Sequence, residues 1–130
     1  MNISAMTVTK DGKIWFASGT VWNDPADVPY GIASTSDAYH FTHYDPVRDL
    51  GMPESHIRDM IALPDGRLVV AGLSSGLVFW DPATGKHTSM RAGQGIPDDG
   101  VLRIQLDTMV DPPALQVATR GGGAVLRILP

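Results

Sequence analysis

One segment, residues 57–100, most constrains the fold because it contains a complete set of short strand-like runs that the flanking sequence repeats. Clusters of Gly, Pro, Asp and Ser separate four such runs, and no run is long enough for an ordinary helix. The runs are residues 60–63, 68–72, 77–80 and 87–90. This pattern predicts antiparallel strands that are joined by tight turns.

The unit repeats with a period in the forties. The motif Gly51-Met52-Pro53 returns as Gly95-Ile96-Pro97, at an offset of 44 residues (95 − 51 = 44). Four short strands in a repeat of this length are typical of β-propeller blades. We therefore predict an all-β fold of antiparallel β-propeller blades, about three in number with the last incomplete, near residues 2–54, 55–99 and 100–130.

The first copy is longer than the second at one place. Its Asp-Gly turn at residues 11–12 recurs at residues 65–66, an offset of 54, whereas Gly31 and Gly76 before the third strands are 45 apart. The nine extra residues (54 − 45 = 9) fall around residues 19–28. A long insertion into a loop of a rigid scaffold is a common place for binding residues.

The last copy ends before a fourth strand, and it aligns Gly123 with Gly76 at an offset of 47 (123 − 76 = 47). Closed propellers have typically four to eight blades. We therefore expect this chain to be part of a larger ring, completed by the remaining blades of a longer propeller or by self-association. The end faces should expose residues around Met6, Val8 and Trp15 on one side and Val117, Val125 and Leu126 on the other.

Several short motifs resemble the two-component regulator propeller repeat. They are the Asp-Gly turn, an apolar strand that contains Trp15, a Gly before the next strand, and the ending Phe79-Trp80-Asp81-Pro82. The resemblance covers nearly the whole chain. It implies a non-catalytic segment for ligand recognition or signal sensing, similar to the sensor part of two-component regulators. It also implies an extracytoplasmic (periplasmic) location and a small-molecule or carbohydrate-like ligand.

Composition excludes several other classes of function. The net charge is −4 and the ten Lys and Arg residues are scattered, so we expect no nucleic-acid partner, which would need a clustered positive surface. There is no Cys, and no apolar stretch has the length needed for direct membrane insertion. No motif with convincing spacing indicates a metal site or a cofactor, and we expect neither.

Propeller geometry predicts which loops share a face. The second-to-third turns and the crossings to the next blade emerge on one side, which brings the insertion together with residues 45–56, 72–76, 91–100 and 120–123. On this face we predict a ligand-binding site of four residues. They are Trp22, Asp24, His56 and Arg120. The alternative is that Trp22 packs onto its blade as a lid and that the charged side chains are simply solvated.

Catalysis has weaker support in the sequence, and we predict no catalytic residue. Residues 72–76 match the G-x-S-x-G pattern of hydrolases, but that pattern needs a following helix, whereas a strand-like run follows here. An enzyme similar to streptogramin lyase-like propeller proteins remains the alternative function, because His56 stands at a blade entry. One His does not make such a site.

Overall fold

The computed structural model describes residues 2–19 and 31–129, which form three antiparallel sheets and one short helix. Blade 1 contains β1 (Asn2–Val8), β2 (Ile14–Gly19), β3 (Ile32–Thr35) and β4 (Thr42–Tyr44), and helix α1 (Pro46–Leu50) follows it. Blade 2 contains β5 (Ile57–Ala62), β6 (Leu68–Gly72), β7 (Leu77–Trp80) and β8 (His87–Met90). Blade 3 contains β9 (Val101–Asp107), β10 (Ala114–Thr119) and β11 (Gly122–Arg127). The predicted all-β fold is confirmed, with a last blade of three strands; the blade limits stay a prediction.

The same irregularity recurs in the first strand of every blade. The pairing register shifts by one residue at Ser4 in β1, at Arg58 in β5 and at Leu102 in β9. The spacings are 58 − 4 = 54 and 102 − 58 = 44, which are the offsets of the sequence repeat. A β-bulge bends its strand and increases the local twist, so the first strands of the three blades bend at equivalent positions.

The sequence alignment of the last blade is wrong by one residue after β10. In the structure Gly122 pairs with Thr119, as Gly76 lies opposite Gly72, so Gly122 rather than Gly123 is the counterpart of Gly76. The offset is therefore 46 (122 − 76 = 46). The reason is that the turn after β10 is one residue shorter than the turn after β6.

A helix that the sequence analysis did not predict lies in the crossing from blade 1 to blade 2. The Asp45 carboxylate caps it by accepting hydrogen bonds from the backbone N–H groups of Val47 (2.9 Å) and Arg48 (3.3 Å). Pro46 occupies the first turn, and Gly51 ends the helix in the left-handed region (φ 68°). This helix carries buried Leu50 into the space between the blades.

Strand β4 is shorter than the predicted run of residues 39–44. The Asp37 carboxylate accepts hydrogen bonds from the backbone N–H groups of Tyr39 (2.9 Å) and His40 (2.8 Å). These N–H groups are therefore held in a local turn, and the ladder with β3 begins only at Thr42.

Two apolar cores lie between the blades, one at each seam. Strand β6 is buried along its whole length and contributes to both cores, with Leu68 and Val70 on the blade 1 side and Val69 and Ala71 on the blade 3 side. In the first core, the Trp80 ring lies edge-on to Trp15 and Tyr44. The blades are thus held together by apolar packing, which is the main favourable term in folding.

The end faces differ from the prediction at three residues. Trp15 is 2% exposed because its side of β2 packs against blade 2. Val117 and Leu126 pack in the core against blade 2. The end faces instead expose Met6 (64%) and Val8 (56%) on blade 1 and Val125 (67%) on blade 3, as predicted. Arg103, Gln105 and Gln116 are also exposed on blade 3.

Candidate functional site

The loops at one end of the blades are joined by backbone hydrogen bonds. The N–H of Leu73, in the turn after β6, donates to the carbonyl of His56 at 2.9 Å. In blade 3 the N–H of Arg120 donates in the same way to the carbonyl of Gly100 at 3.0 Å. We call this end the loop face, formed by residues 52–56, 73–76, 91–100 and 120–122. Two of the predicted site residues, His56 and Arg120, lie within these ranges.

Glu54 fixes the part of the loop face next to blade 2. One carboxylate oxygen accepts the backbone N–H of His56 at 2.6 Å. The other accepts the Ser75 hydroxyl at 2.5 Å and the N–H of Ser74 at 3.2 Å. Hydrogen bonds to a charged acceptor are stronger than neutral ones, so this carboxylate locks the crossing before β5 onto the turn after β6.

An ion pair fixes the next loop. The Arg91 guanidinium donates to the Asp99 carboxylate at 2.9 Å and to the carbonyl of Ser74 at 3.2 Å. The pKa of Asp99 lies below its usual value of 3.8. The hydrogen bond from Arg91 is the larger cause, and the hydrogen bond from the backbone N–H of Ala92 is the next. Arg91 therefore connects the crossing before β9 to the same turn that Glu54 holds.

Two of the four predicted residues lie on this face with side chains that have no polar partner among the described residues. The ring of His56 is half-buried, and its Nδ1 has neither solvent contact nor a hydrogen bond to the described parts of the chain. The Arg120 side chain is exposed, and its aliphatic stem lies over Gly100. Glu54, Arg91 and Asp99 thus hold loops in place, whereas the side chains of His56 and Arg120 make no hydrogen bond within residues 2–19 and 31–129.

The other two predicted residues, Trp22 and Asp24, lie outside the described residues. Arg48, a further charged residue of the crossing, bonds to Asp49 of its own helix at 3.0 Å and is largely exposed. Among residues 2–19 and 31–129, no group of three His, Asp or Glu side chains is arranged to hold a metal ion.

Sequence reasoning missed Glu54 and Arg91, the residues that organise the loop face. One signal was present, because Glu54 is the only Glu in the chain and stands two residues before His56. The turn interpretation of the G-x-S-x-G match is correct, since residues 72–76 join strand β6 to strand β7. Ser75, next to the serine of that pattern, serves as a donor to Glu54.

Acid should weaken the loop face through Asp99. A carboxylate whose pKa is lowered in the folded state adds stability above its unfolded pKa and loses that stability as pH falls through the folded pKa. We therefore expect the free energy of unfolding to fall below about pH 3.8, and to fall less in Asp99→Asn. Urea unfolding at pH 7 and pH 3 measures this. Equal losses of unfolding free energy in the wild type and Asp99→Asn would contradict this role of Asp99. In Arg91→Ala, the pH at which the loss occurs should move toward 3.8, because the hydrogen bond that lowers the pKa of Asp99 is gone.

The fold is shared with several solved structures. The extracellular domain of the hybrid two-component system BT3049 from B. thetaiotaomicron matches with a TM-score of 0.71 and 18% identity, over 97% of this chain and 17% of that one. The extracellular domain of the BT4673 system from the same organism matches with a TM-score of 0.63 and 18% identity, over 90% of this chain and 14% of that one. PorZ, a surface component of the type-IX secretion system of Porphyromonas gingivalis, matches with a TM-score of 0.64 and 15% identity, over 97% and 17%.

The fold is that of a propeller segment. This likeness confirms the predicted resemblance to two-component regulator propellers at the level of fold. No family model and no curated protein matches the sequence. The segment spans less than a fifth of the length of these three structures. No helix in the described ranges is long and apolar enough to cross a membrane.

Proposed function

We propose that this chain is a non-catalytic recognition segment within a larger propeller that senses a small-molecule or carbohydrate-like ligand outside the cytoplasm. The observation that carries the proposal is the fold shared with extracellular domains of two-component systems. Those domains are several times longer than this segment, which supports further blades around it.

The proposed site is bordered by Trp22, Asp24, His56 and Arg120 on the loop face. Support comes from the division of roles among the described side chains. Glu54 and Asp99 accept several hydrogen bonds from loops and leave the face rigid. A rigid frame lowers the entropy cost of binding, while the Arg120 guanidinium offers up to five N–H donors to a ligand.

The geometry around His56 favours recognition over the enzyme alternative. A general base is normally oriented by a second group that bonds to its other ring nitrogen. Within the described ranges no group hydrogen-bonds to Nδ1 of the His56 ring. These residues therefore do not supply the relay that proton transfer needs.

Deleting residues 20–28 should abolish ligand binding and leave the blades folded. The physical reason is that this insertion supplies Trp22 and Asp24, whereas the described cores are built from other residues. Calorimetry against a panel of mono- and oligosaccharides measures binding, and circular dichroism measures folding. A ligand that binds the intact chain and the deletion variant equally would contradict the site.

Arg120→Ala should weaken binding of such a ligand about tenfold or more, because a hydrogen bond to a charged group contributes about 1.5–3 kcal/mol. Lys86→Ala is the matched control. Lys86 is also an exposed cation, but it lies in the turn between β7 and β8, at the opposite end of the blade. Equal losses in the two variants would point to general charge attraction and not to the loop face.

A further inference from the structure

At each seam between blades, one hydrogen bond joins the first strands of the two blades. At the first seam the backbone N–H of Ala62 donates to the Thr7 hydroxyl at 3.1 Å. At the second seam the backbone N–H of Ile104 donates to the Asp59 carboxylate at 2.9 Å. Strands β1, β5 and β9 are the edges of their sheets, so these N–H groups lack a strand partner and need another acceptor. A side chain of the preceding blade supplies it.

The two acceptors come from two neighbouring positions of the first strand. Blade 1 has Ala5 at the first position and Thr7 at the second. Blade 2 has Asp59 at the first position (59 − 5 = 54) and Ile61 at the second (61 − 7 = 54). Blades 1 and 2 therefore each carry one acceptor and one apolar residue, and each of the two seams has one side-chain acceptor at these positions.

Blade 3 carries polar residues at both positions, and both side chains are exposed. Arg103 stands where Asp59 stands (103 − 59 = 44), and Gln105 stands where Ile61 stands (105 − 61 = 44). The Arg guanidinium only donates hydrogen bonds, whereas the Gln side chain has an accepting oxygen. Of the two, only Gln105 can accept a hydrogen bond, and it stands at the position that Thr7 uses in blade 1.

We propose that the outer face of blade 3 docks a further propeller blade of the same polypeptide, with the Gln105 side-chain oxygen accepting a backbone N–H of that blade's first strand. The docked blade presents a carboxylate or carbonyl oxygen to Arg103. This inference rests on the proposed larger propeller and is independent of the proposed ligand site.

A second copy of this chain does not fit the same face. The surface of blade 1 that would meet blade 3 is apolar. Its outward residues stand at the positions that blade 2 uses to pack against blade 1. Those residues are Ile3, Met6, Val8, Ile14, Phe16 and Ala33. Docking it onto blade 3 would cover Arg103 with no side-chain acceptor, and a buried guanidinium without a partner is costly.

Amide hydrogen exchange in the polypeptide that the gene encodes tests the proposal. Gln105→Leu should speed exchange at one first-strand amide of the following blade by about two- to tenfold, the effect of losing one hydrogen bond. Gln105→Glu keeps an acceptor and should leave that amide protected. Gln116→Leu is the matched control, because Gln116 lies on the same face opposite Gln105 but on strand β10. Thr7→Val should produce the same change at the amide of Ala62.

The outcomes separate the possible errors. An unchanged amide in Gln105→Leu, or an equal change in Gln116→Leu, overturns the role of Gln105 while leaving the ring intact. Protection of the Val8 amide by a second copy overturns the choice of occupant. A gene product with no blade after residue 130 overturns the proposal together with the larger propeller, whichever ligand binds the loop face.

Discussion

Replacing Trp80 by alanine should lower the free energy of unfolding by about 3–5 kcal/mol. The Trp80 ring is 2% exposed and lies edge-on to Trp15, with ring centres 5.5 Å apart, and to Tyr44 at 4.9 Å. Its removal leaves a cavity at the seam of blades 1 and 2 and takes away two aromatic contacts. Urea unfolding followed by circular dichroism measures the change.

Val125→Ala is the control for this prediction. Val125 lies on β11 but is 67% exposed, so its truncation should change the free energy of unfolding by no more than about 0.5 kcal/mol. If the two variants were equally stable, the first core would not be what holds blade 1 to blade 2.

The second large effect is expected for Gly76→Ala. Gly76 has φ 66°, a region that costs other residues roughly 1–2 kcal/mol. A Cβ at this position would also overlap the carbonyl oxygen of Met90 at the end of β8. Gly31 repeats the arrangement in blade 1, with φ 86° and the Tyr44 carbonyl oxygen 2.7 Å from a Cβ. We expect a loss of about 2–4 kcal/mol of unfolding free energy.

Gly85→Ala separates the cost of the left-handed backbone conformation from the cost of the overlap with a carbonyl oxygen. Gly85 has a similar φ of 80°, but no atom lies within 4 Å of the position of its Cβ. The unfolding free energy of this variant should fall only by the cost of the left-handed backbone conformation, about 1–2 kcal/mol. Equal losses for Gly76→Ala and Gly85→Ala would show that the approach to the β8 carbonyl costs nothing.

The strands could be predicted from sequence wherever turn residues stand on both sides of an apolar run. Strands β6, β7 and β8 have the predicted limits, because Asp65-Gly66 and the Gly and Ser residues before Leu77 leave the chain no other place to turn. Helix α1 was missed although its Asp, Pro and Gly signals were present. A five-residue element has too little periodicity to be distinguished from a loop.

Two features were less predictable: which side chains of the end blades are buried, and which contacts hold the loops of the loop face together. Sequence shows that Trp15 is apolar, but which side of a strand faces the next blade follows from the bulge at Ser4 and the pairing of β1 with β2. The bond between Glu54 and Ser75 joins residues 21 apart in sequence. No local pattern specifies such a contact, whereas His56 could be proposed from sequence because it stands at a blade entry, directly before β5.

Light scattering on purified residues 1–130 tests most directly the central claim that these blades belong to a larger ring. Met6 is exposed on blade 1, while its counterpart Met60 (60 − 6 = 54) is 1% exposed beneath blade 1. We predict that the isolated segment associates as its concentration rises, because this apolar face has lost its cover, and that Met6→Lys weakens the association. A monomer at every concentration that unfolds cooperatively, from a gene that encodes no further blade, would contradict the claim.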